Sequence, residues 1–189
     1  MNIFYLSHDV DECARFHVDK HVVKMILESA QLLSTAHRVL DGEQATLIVN
    51  GREKKTYLFA PEYQDDYRHG IYQATHINHP SSIWARKTNN NYNWLFCLFN
   101  SLCREYTYRY GKIHKCESLM TRLDSPPRNI DVGYFTQPTL AMPDEYKISA
   151  DAIECYRAYY RGAKTDFARW TKRPVPEWFM EKNNVCLQS

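Results

Sequence analysis

Apolar residues recur at intervals of three and four positions from Asp11 to Leu40, and neither glycine nor proline interrupts them; this pattern is typical of a helix with a buried face. Asp9 and Glu12 have the spacing of an N-terminal capping box. Gly42 supplies a stop signal after the last periodic residue. We therefore predict one long helix over this range, or two helices with a bend, preceded by a short, apolar, extended lead-in.

The same spacing returns twice in the second half of the chain. It predicts a helix from Asn89 to Tyr110, which Gly111 ends, and a last long helix from about Ala150 to Trp170. The prolines at 174 and 176 exclude a continuous helix through the tail segment 172–179.

Three other segments have a different character. Residues 46–59 are two β-type runs around Asn50-Gly51, which predicts a hairpin. We expect loop and short helix over 61–80, and the four prolines of 121–149 indicate an ordered connector. No internal repeat or linker is present, so we predict one mainly α domain: a helical bundle with a long N-terminal helix and a small β-hairpin insertion.

The first helix carries a narrow polar stripe on an otherwise apolar surface. Six polar side chains fall within an arc of about 80° when residues 16–36 are placed on a helical wheel. They are His17, His21, Lys24, Glu28, Gln31 and Thr35. A narrow polar arc containing a carboxylate and two imidazoles favours the lining of a cleft with acid–base groups. The alternative is the solvated strip of a central helix, with weak surface ion pairs.

A metal site is a further alternative for this stripe. His17 and His21 stand four residues apart, which is the spacing of half a zinc site. The glutamate of an HExxH motif is missing, and Lys20 and Lys24 would repel a dication. A third ligand would have to come from elsewhere, for which the candidates are His76 and His79. We therefore predict no metal and no other cofactor.

Composition narrows the class of protein. The chain has 189 residues, of which 44% are hydrophobic and 24% charged, with a net charge of +2; these values exclude a disordered chain, a fibrous repeat and a polycation. No apolar run is long enough to span a membrane, and no signal peptide is visible. The six cysteines are scattered without a CxxC pair. We expect reduced thiols, a cytoplasmic location and no membrane partner.

Charge is unevenly distributed along the chain. Residues 83–115 contain six lysines and arginines against one acid, and a second basic stretch follows a more acidic one. Such a stretch can hold a phosphate backbone, although solvated helix surfaces have the same composition.

A second candidate segment precedes the helix at 89–110. His79 is followed by Pro80, which restricts its backbone, and by two serines that can cap a short helix carrying Trp84 and Arg86. A constrained histidine, an aromatic ring and an arginine at a helix start suit contact with a phosphate or a base. The alternative is a loop histidine beside a core tryptophan.

Three segments, in order, carry a resemblance to a known family. His21 and Glu28 stand seven residues apart on the first helix, Asn78-His79-Pro80 follows, and Glu105-Tyr106 precedes Arg109-Tyr110-Gly111. Over residues 1–40 and 76–112 the chain resembles the pyrimidine-dimer DNA glycosylases of the phage endonuclease V type.

The resemblance implies a DNA glycosylase, with or without AP-lyase activity, that acts on a damaged or modified pyrimidine in the cytoplasm, or in the host cytoplasm for a phage gene. Its nucleophile would be the N-terminal amine, here that of Met1, because Asn2 is too large for methionine removal. Glu28 would move protons, and His21 and His17 would hold the sugar-phosphate. Substrate contacts would come from Lys20, Lys24, Gln31, His79, Trp84, Arg86, Tyr92, Arg104, Arg109 and Lys112.

Two departures from the family pattern keep other functions open. In the family the nucleophilic amine is usually exposed by removal of the initiator methionine, whereas here it would be the amine of Met1 itself. Leu27 also stands where the phage enzyme has a basic residue. One alternative is a hydrolase or transferase acting on a modified pyrimidine or a free nucleotide in the same cleft. Another is a protein that binds or sequesters a pyrimidine nucleotide without turnover. Lys24 is the alternative nucleophile.

Overall fold

The computed structural model describes residues 1–60 and 70–180, and the protein is mainly α-helical with a small antiparallel sheet. The helices are α1 (Val10–Phe16), α2 (Asp19–Asp41), α3 (Pro80–Ala85), α4 (Asn89–Tyr110), α5 (Met120–Leu123), α6 (Ala152–Ala163) and α7 (Glu177–Met180). The strands are β1 (Glu43–Val49) and β2 (Arg52–Leu58), and 3-10 turns cover Lys115–Leu119, Asp144–Tyr146 and Thr165–Phe167. No helix within the described ranges is both long and apolar enough to cross a membrane.

The predicted first helix consists of two helices, because His17 and Val18 between α1 and α2 are extended. Arg109 of α4 stabilises the break. Its guanidinium donates hydrogen bonds to the carbonyls of Arg15 and His17, which lie at the end of α1, and to Asp19 Oδ1 at the start of α2. One side chain therefore donates to carbonyls that would accept hydrogen bonds from backbone amides in a continuous helix.

The core forms where α2 and α1 pack against α4. Met25, Ile26 and Leu33 of α2 are buried with Leu95 and Phe99 of α4. The lead-in, residues 1–6, belongs to no helix or strand, and residues 3–6 are buried. Its direction opposes that of α2, because Phe4 stacks on His21 while Asn2 bonds to Glu28 farther along the helix.

The predicted hairpin is confirmed. Asn50 and Gly51 both have positive φ, 52° and 74°, as a two-residue type I′ turn requires. Most residues of β1 are exposed to solvent. Arg38 of α2 fixes the base of the hairpin by donating to the carbonyls of Tyr57, Ile71 and Tyr72. Of the segment 61–80, for which we expected loop and short helix, residues 61–69 lie outside the described residues.

One predicted helix end and one predicted cap are wrong. The last long helix ends at Ala163 rather than near Trp170, because residues 164–171 turn back onto the break between α1 and α2. There the Trp170 indole N–H donates to the carbonyl of Phe16, and the carbonyl of Arg169 accepts from the Asp19 amide. Helix α3 is capped by the His79 ring rather than by the serines that follow Pro80.

Candidate active site

Glu28 lies beside the first residues of the chain. It is 9% exposed, and its Oε2 accepts a 2.9 Å hydrogen bond from the backbone N–H of Asn2. Its other oxygen, Oε1, lies 3.3 Å from the ammonium of Lys24, whose side chain is 66% exposed. The carboxylate thus contacts the backbone on one side and a solvent-exposed cation on the other.

The position of Asn2 limits where the amine of Met1 can be. One residue spans at most about 3.6 Å of backbone, so the amine lies no more than about 6.5 Å from Glu28 Oε2. Met1 is itself half-buried and packs against the core. The backbone nitrogen of Met1 and the Glu28 carboxylate therefore lie close together.

His79 faces the same site from the start of α3. Burial, the positive charge of the N-terminus and that of His76 all lower the pKa of His79. Its Nδ1 accepts a hydrogen bond from the Ser81 amide, so the neutral ring carries its proton on Nε2. The Nε2–H of His79 is therefore a hydrogen-bond donor. His76 is exposed and adopts a left-handed backbone with φ of 49°.

His17 and His21 do not fit the predicted contact with a substrate, because they are 0% and 7% exposed. Burial lowers the pKa of His17 to about 4 and that of His21 to about 3. His17 Nδ1 donates to the carbonyl of Cys13, whereas His21 Nδ1 lies 2.6 Å from the hydroxyl of Tyr160. These neutral rings pack the lead-in against α2.

The polar stripe is therefore divided along α2. Thr35, at the other end from His17, is also buried, and its hydroxyl bonds to the backbone of Thr75. Lys24 and the half-buried Gln31 reach the surface, on either side of the buried Glu28. The two ends of the stripe belong to the core, so a predicted contact with a ligand is left to these three central positions.

Arg109 does not fit the predicted phosphate contact, because it is 2% exposed. Besides bridging the helix break, it donates to Glu105, which also pairs with Arg173. Burial alone would raise the pKa of Glu105, but the hydrogen bonds from Arg173 and Arg109 bring it below its usual value. Arg104 is exposed and lies 2.6 Å from Asp11.

Trp84 and Tyr92 lie in the core, so this structure leaves neither ring exposed for the predicted contact with a base. Trp84 is 3% exposed and donates its indole N–H to Thr136. Tyr92 is 0% exposed, and its hydroxyl donates to the carbonyl of Leu123. Arg86 is half-buried against Ser82, and burial lowers the pKa of its guanidinium.

Lys20 and Lys112 lie on another surface. They line a shallow depression with Tyr106 and Tyr110, and the Lys20 ammonium lies 4.8 Å from the centre of the Phe167 ring. The depression does not include Glu28. If these two lysines contact a ligand as predicted, those contacts lie on a different surface from Glu28.

Two residues at the site were not predicted from the sequence. Asn2 provides the backbone contact to Glu28, and Tyr156 of α6 lies with its hydroxyl 2.9 Å from Asn2 Oδ1. Tyr156 is one of several periodic aromatic residues in α6, so its pattern indicates only a buried face. Its contact with residue 2 depends on tertiary structure.

The arrangement offers amine and carboxylate chemistry. Across residues 1–60 and 70–180, no three histidine, cysteine or acidic side chains come together in a way that could hold a metal ion. Comparison of the chain with protein-family models, with curated proteins and with solved structures gives no match. The function must therefore be argued from this geometry and from the motifs in the sequence.

Proposed function

We propose that this protein is a DNA glycosylase with an associated lyase step, acting on a damaged or modified pyrimidine through the amine of Met1. The observation that carries the proposal is the 2.9 Å hydrogen bond between the Asn2 amide and Glu28. It brings the start of the chain to the carboxylate on the polar stripe. An α-amine also binds its proton less tightly than a lysine side chain, which favours it as a nucleophile.

In the first step the amine of Met1 attacks C1′ of the target nucleotide, and the bond from C1′ to the base breaks. The base leaves with the bonding electrons and takes a proton from solvent. Glu28 accepts one proton from the attached nitrogen and delivers it to the ring oxygen O4′. The sugar ring opens, and a protonated imine joins Met1 to C1′.

The lyase step uses the same carboxylate. Glu28 removes a proton from C2′, the electrons move toward the imine, and the bond from C3′ to its phosphate oxygen then breaks by β-elimination. Water finally attacks the imine carbon and releases the amine. One buried carboxylate thus serves the proton transfers at the sugar, and its short distance from the start of the chain supports this role.

Binding of the sugar-phosphate falls to the residues around Glu28. The exposed ammonium of Lys24 can exchange its contact with Glu28 for a phosphate oxygen. The neutral His79 can donate from Nε2 to a sugar or base oxygen, and Gln31 offers both a donor and an acceptor. A base in a duplex would have to leave the stack to bring C1′ to the amine.

Borohydride trapping on an oligonucleotide with a single abasic site tests this proposal. The protein is prepared with a native start, verified by its intact mass, and the adduct is digested and sequenced by mass spectrometry. We expect a covalent adduct on the Met1 nitrogen. An adduct on Lys24 would reassign the nucleophile. No adduct, together with tight binding of a pyrimidine nucleotide, would overturn the proposal in favour of a sequestering protein.

A further inference from the structure

The side chain of Asn2 is fixed by a set of contacts that also fixes the backbone on either side of it. Its Nδ2 donates to the carbonyl of Ala141 at 2.9 Å, and its Oδ1 accepts from the amide of Ile3 at 2.8 Å. The hydroxyl of Tyr156 lies 2.9 Å from the same oxygen. With the backbone bond to Glu28, residue 2 is tied to three separate parts of the fold.

Tyr156 is itself rigidly placed. The side chain is 0% exposed, and its hydroxyl also lies 2.8 Å from the carbonyl of Thr139 and 3.4 Å from the amide of Ala141. Because of burial, the pKa of this phenol is raised, so the hydroxyl keeps its proton. Its proton is therefore shared between Asn2 Oδ1 and the carbonyl of Thr139, while its oxygen accepts from the Ala141 amide.

These contacts need an asparagine. Position 2 must present a donor to the Ala141 carbonyl and an acceptor to Tyr156 and the Ile3 amide. Aspartate keeps the size and the acceptor but would place a charged oxygen against a carbonyl. Alanine would remove the contacts and, being small, would also allow the initiator methionine to be removed.

We propose that Asn2 is a positioning residue that aims the amine of Met1 toward a bound sugar, with Tyr156 as its anchor. This inference rests on the proposed function for its catalytic meaning. The amine has only the torsions of Met1 left to rotate, since the next residue is fixed. Attack on C1′ depends on such alignment, and a small misplacement of the amine lowers the rate without weakening the binding of DNA.

The test compares Asn2→Asp and Tyr156→Phe with the parent and with Tyr72→Phe. The control removes another phenol hydroxyl, one that contacts Cys116 rather than residue 2. Trapping rates are measured at saturating abasic oligonucleotide, and dissociation constants by fluorescence anisotropy. We expect trapping to slow by tenfold or more in both test variants, with dissociation constants within about twofold of the parent. The control should match the parent in both measurements.

A second measurement does not depend on catalysis. Hydrogen exchange of the Asn2 amide, followed by NMR, reports its bond to Glu28 directly. We expect protection of this amide in the parent and a loss of at least tenfold in Tyr156→Phe, with no change in Tyr72→Phe. Unchanged exchange and unchanged trapping in Tyr156→Phe would overturn the positioning role. A parent that shows the expected exchange but never traps DNA would refute the proposed function instead.

Discussion

The ring of Phe4 lies flat on the imidazole of His21, with centroids 4.3 Å apart and planes inclined by 10°. This contact fixes the register of the lead-in along α2. Two residues of lead-in span at most about 7 Å, whereas the seven residue steps of α2 from His21 to Glu28 rise about 10 Å, and a helical side chain points back toward the N-terminus, which closes the difference. Moving back from Phe4 to Asn2 therefore leads from His21 toward Glu28, where the hydrogen bond is found.

Replacement of Glu28 by glutamine should abolish chemistry and preserve the fold. The amide oxygen can still accept from the Asn2 N–H, whereas the group can no longer accept and return a proton. We expect the rate of borohydride trapping to fall by about a hundredfold or more, with an unchanged thermal midpoint. Glu154→Gln, an exposed acid on α6, is the matched control. A Glu28→Gln variant as active as the parent would show that the carboxylate takes no part.

Two residues, Gly-Ser, placed ahead of Met1 should remove covalent trapping. The α-amine would then lie about 7 Å farther along the chain and would no longer be held beside Glu28. The same dipeptide added after residue 189 should leave trapping unchanged. Both proteins should retain the circular dichroism spectrum of the parent. If the N-terminal extension traps as well as the parent does, the amine is not the nucleophile, and Lys24 becomes the candidate.

Lys24 should contribute to a salt-dependent affinity for DNA. Its ammonium is exposed and lies 3.3 Å from Glu28, so a phosphate can reach it. Replacement by methionine should flatten the slope of log K against log salt by about one unit, since one fewer counterion is released. Lys147→Met, which removes a lysine paired with Asp144 on another surface, should leave the slope unchanged. Equal slopes for Lys24→Met and the parent would place the phosphate elsewhere.

Arg109 should matter for stability rather than for binding. Its guanidinium is fully buried and joins Glu105, Asp19 and two backbone carbonyls. Arg109→Met would leave these groups without their partner, and we expect the free energy of unfolding to fall by about 3 to 5 kcal/mol. Arg104→Met, which removes an exposed pair with Asp11, should cost less than about 1 kcal/mol. Urea titration of both variants measures the difference.

The buried histidines predict a loss of stability in mild acid. The pKa of His21 falls from its ordinary value of 6.5 to about 3 in the folded protein, chiefly through burial. Below pH 6.5 the unfolded chain therefore binds a proton on this histidine that the folded chain does not bind. The free energy of unfolding falls as the pH decreases from 6.5 toward the folded pKa. His21→Gln keeps an acceptor for Tyr160 but cannot titrate. Between pH 7 and 5 the variant should lose roughly 1 to 2 kcal/mol less than the parent, measured by urea titration at each pH.

The elements with local signals could be predicted from the sequence. Asn50-Gly51 encodes a turn with two positive φ angles, and Gly111 in a left-handed conformation ends α4 as expected. The stripe also identified Glu28 and Lys24 as neighbours on one face of α2. In each case the interacting residues are only a few positions apart, so the local sequence pattern is enough to predict the feature.

Other features depend on partners far away in the chain. Burial of His17 and His21 results from the lead-in and from Tyr160, and helical periodicity cannot distinguish a stripe that faces a cleft from one that is covered by another segment. The residues next to Trp84 and Tyr92 in the sequence likewise do not indicate which distant carbonyls accept their hydrogen bonds. A count of basic residues could not show that Arg109 is already neutralised by Glu105 and Asp19.

The break between α1 and α2 has a consequence for the order of events during synthesis. The residues that hold it open, Arg109 and the segment around Arg169, are about 90 and 150 positions from Asp19. A ribosome therefore releases residues 11–40 long before these partners are synthesised. The local periodicity of residues 11–40 favours an unbroken helix. We expect the nascent chain to form that helix first and to unwind one turn when α4 arrives. Arg109→Met should accordingly slow the packing of α4 onto this break during refolding, because the late contact, and not the local sequence, imposes the kink.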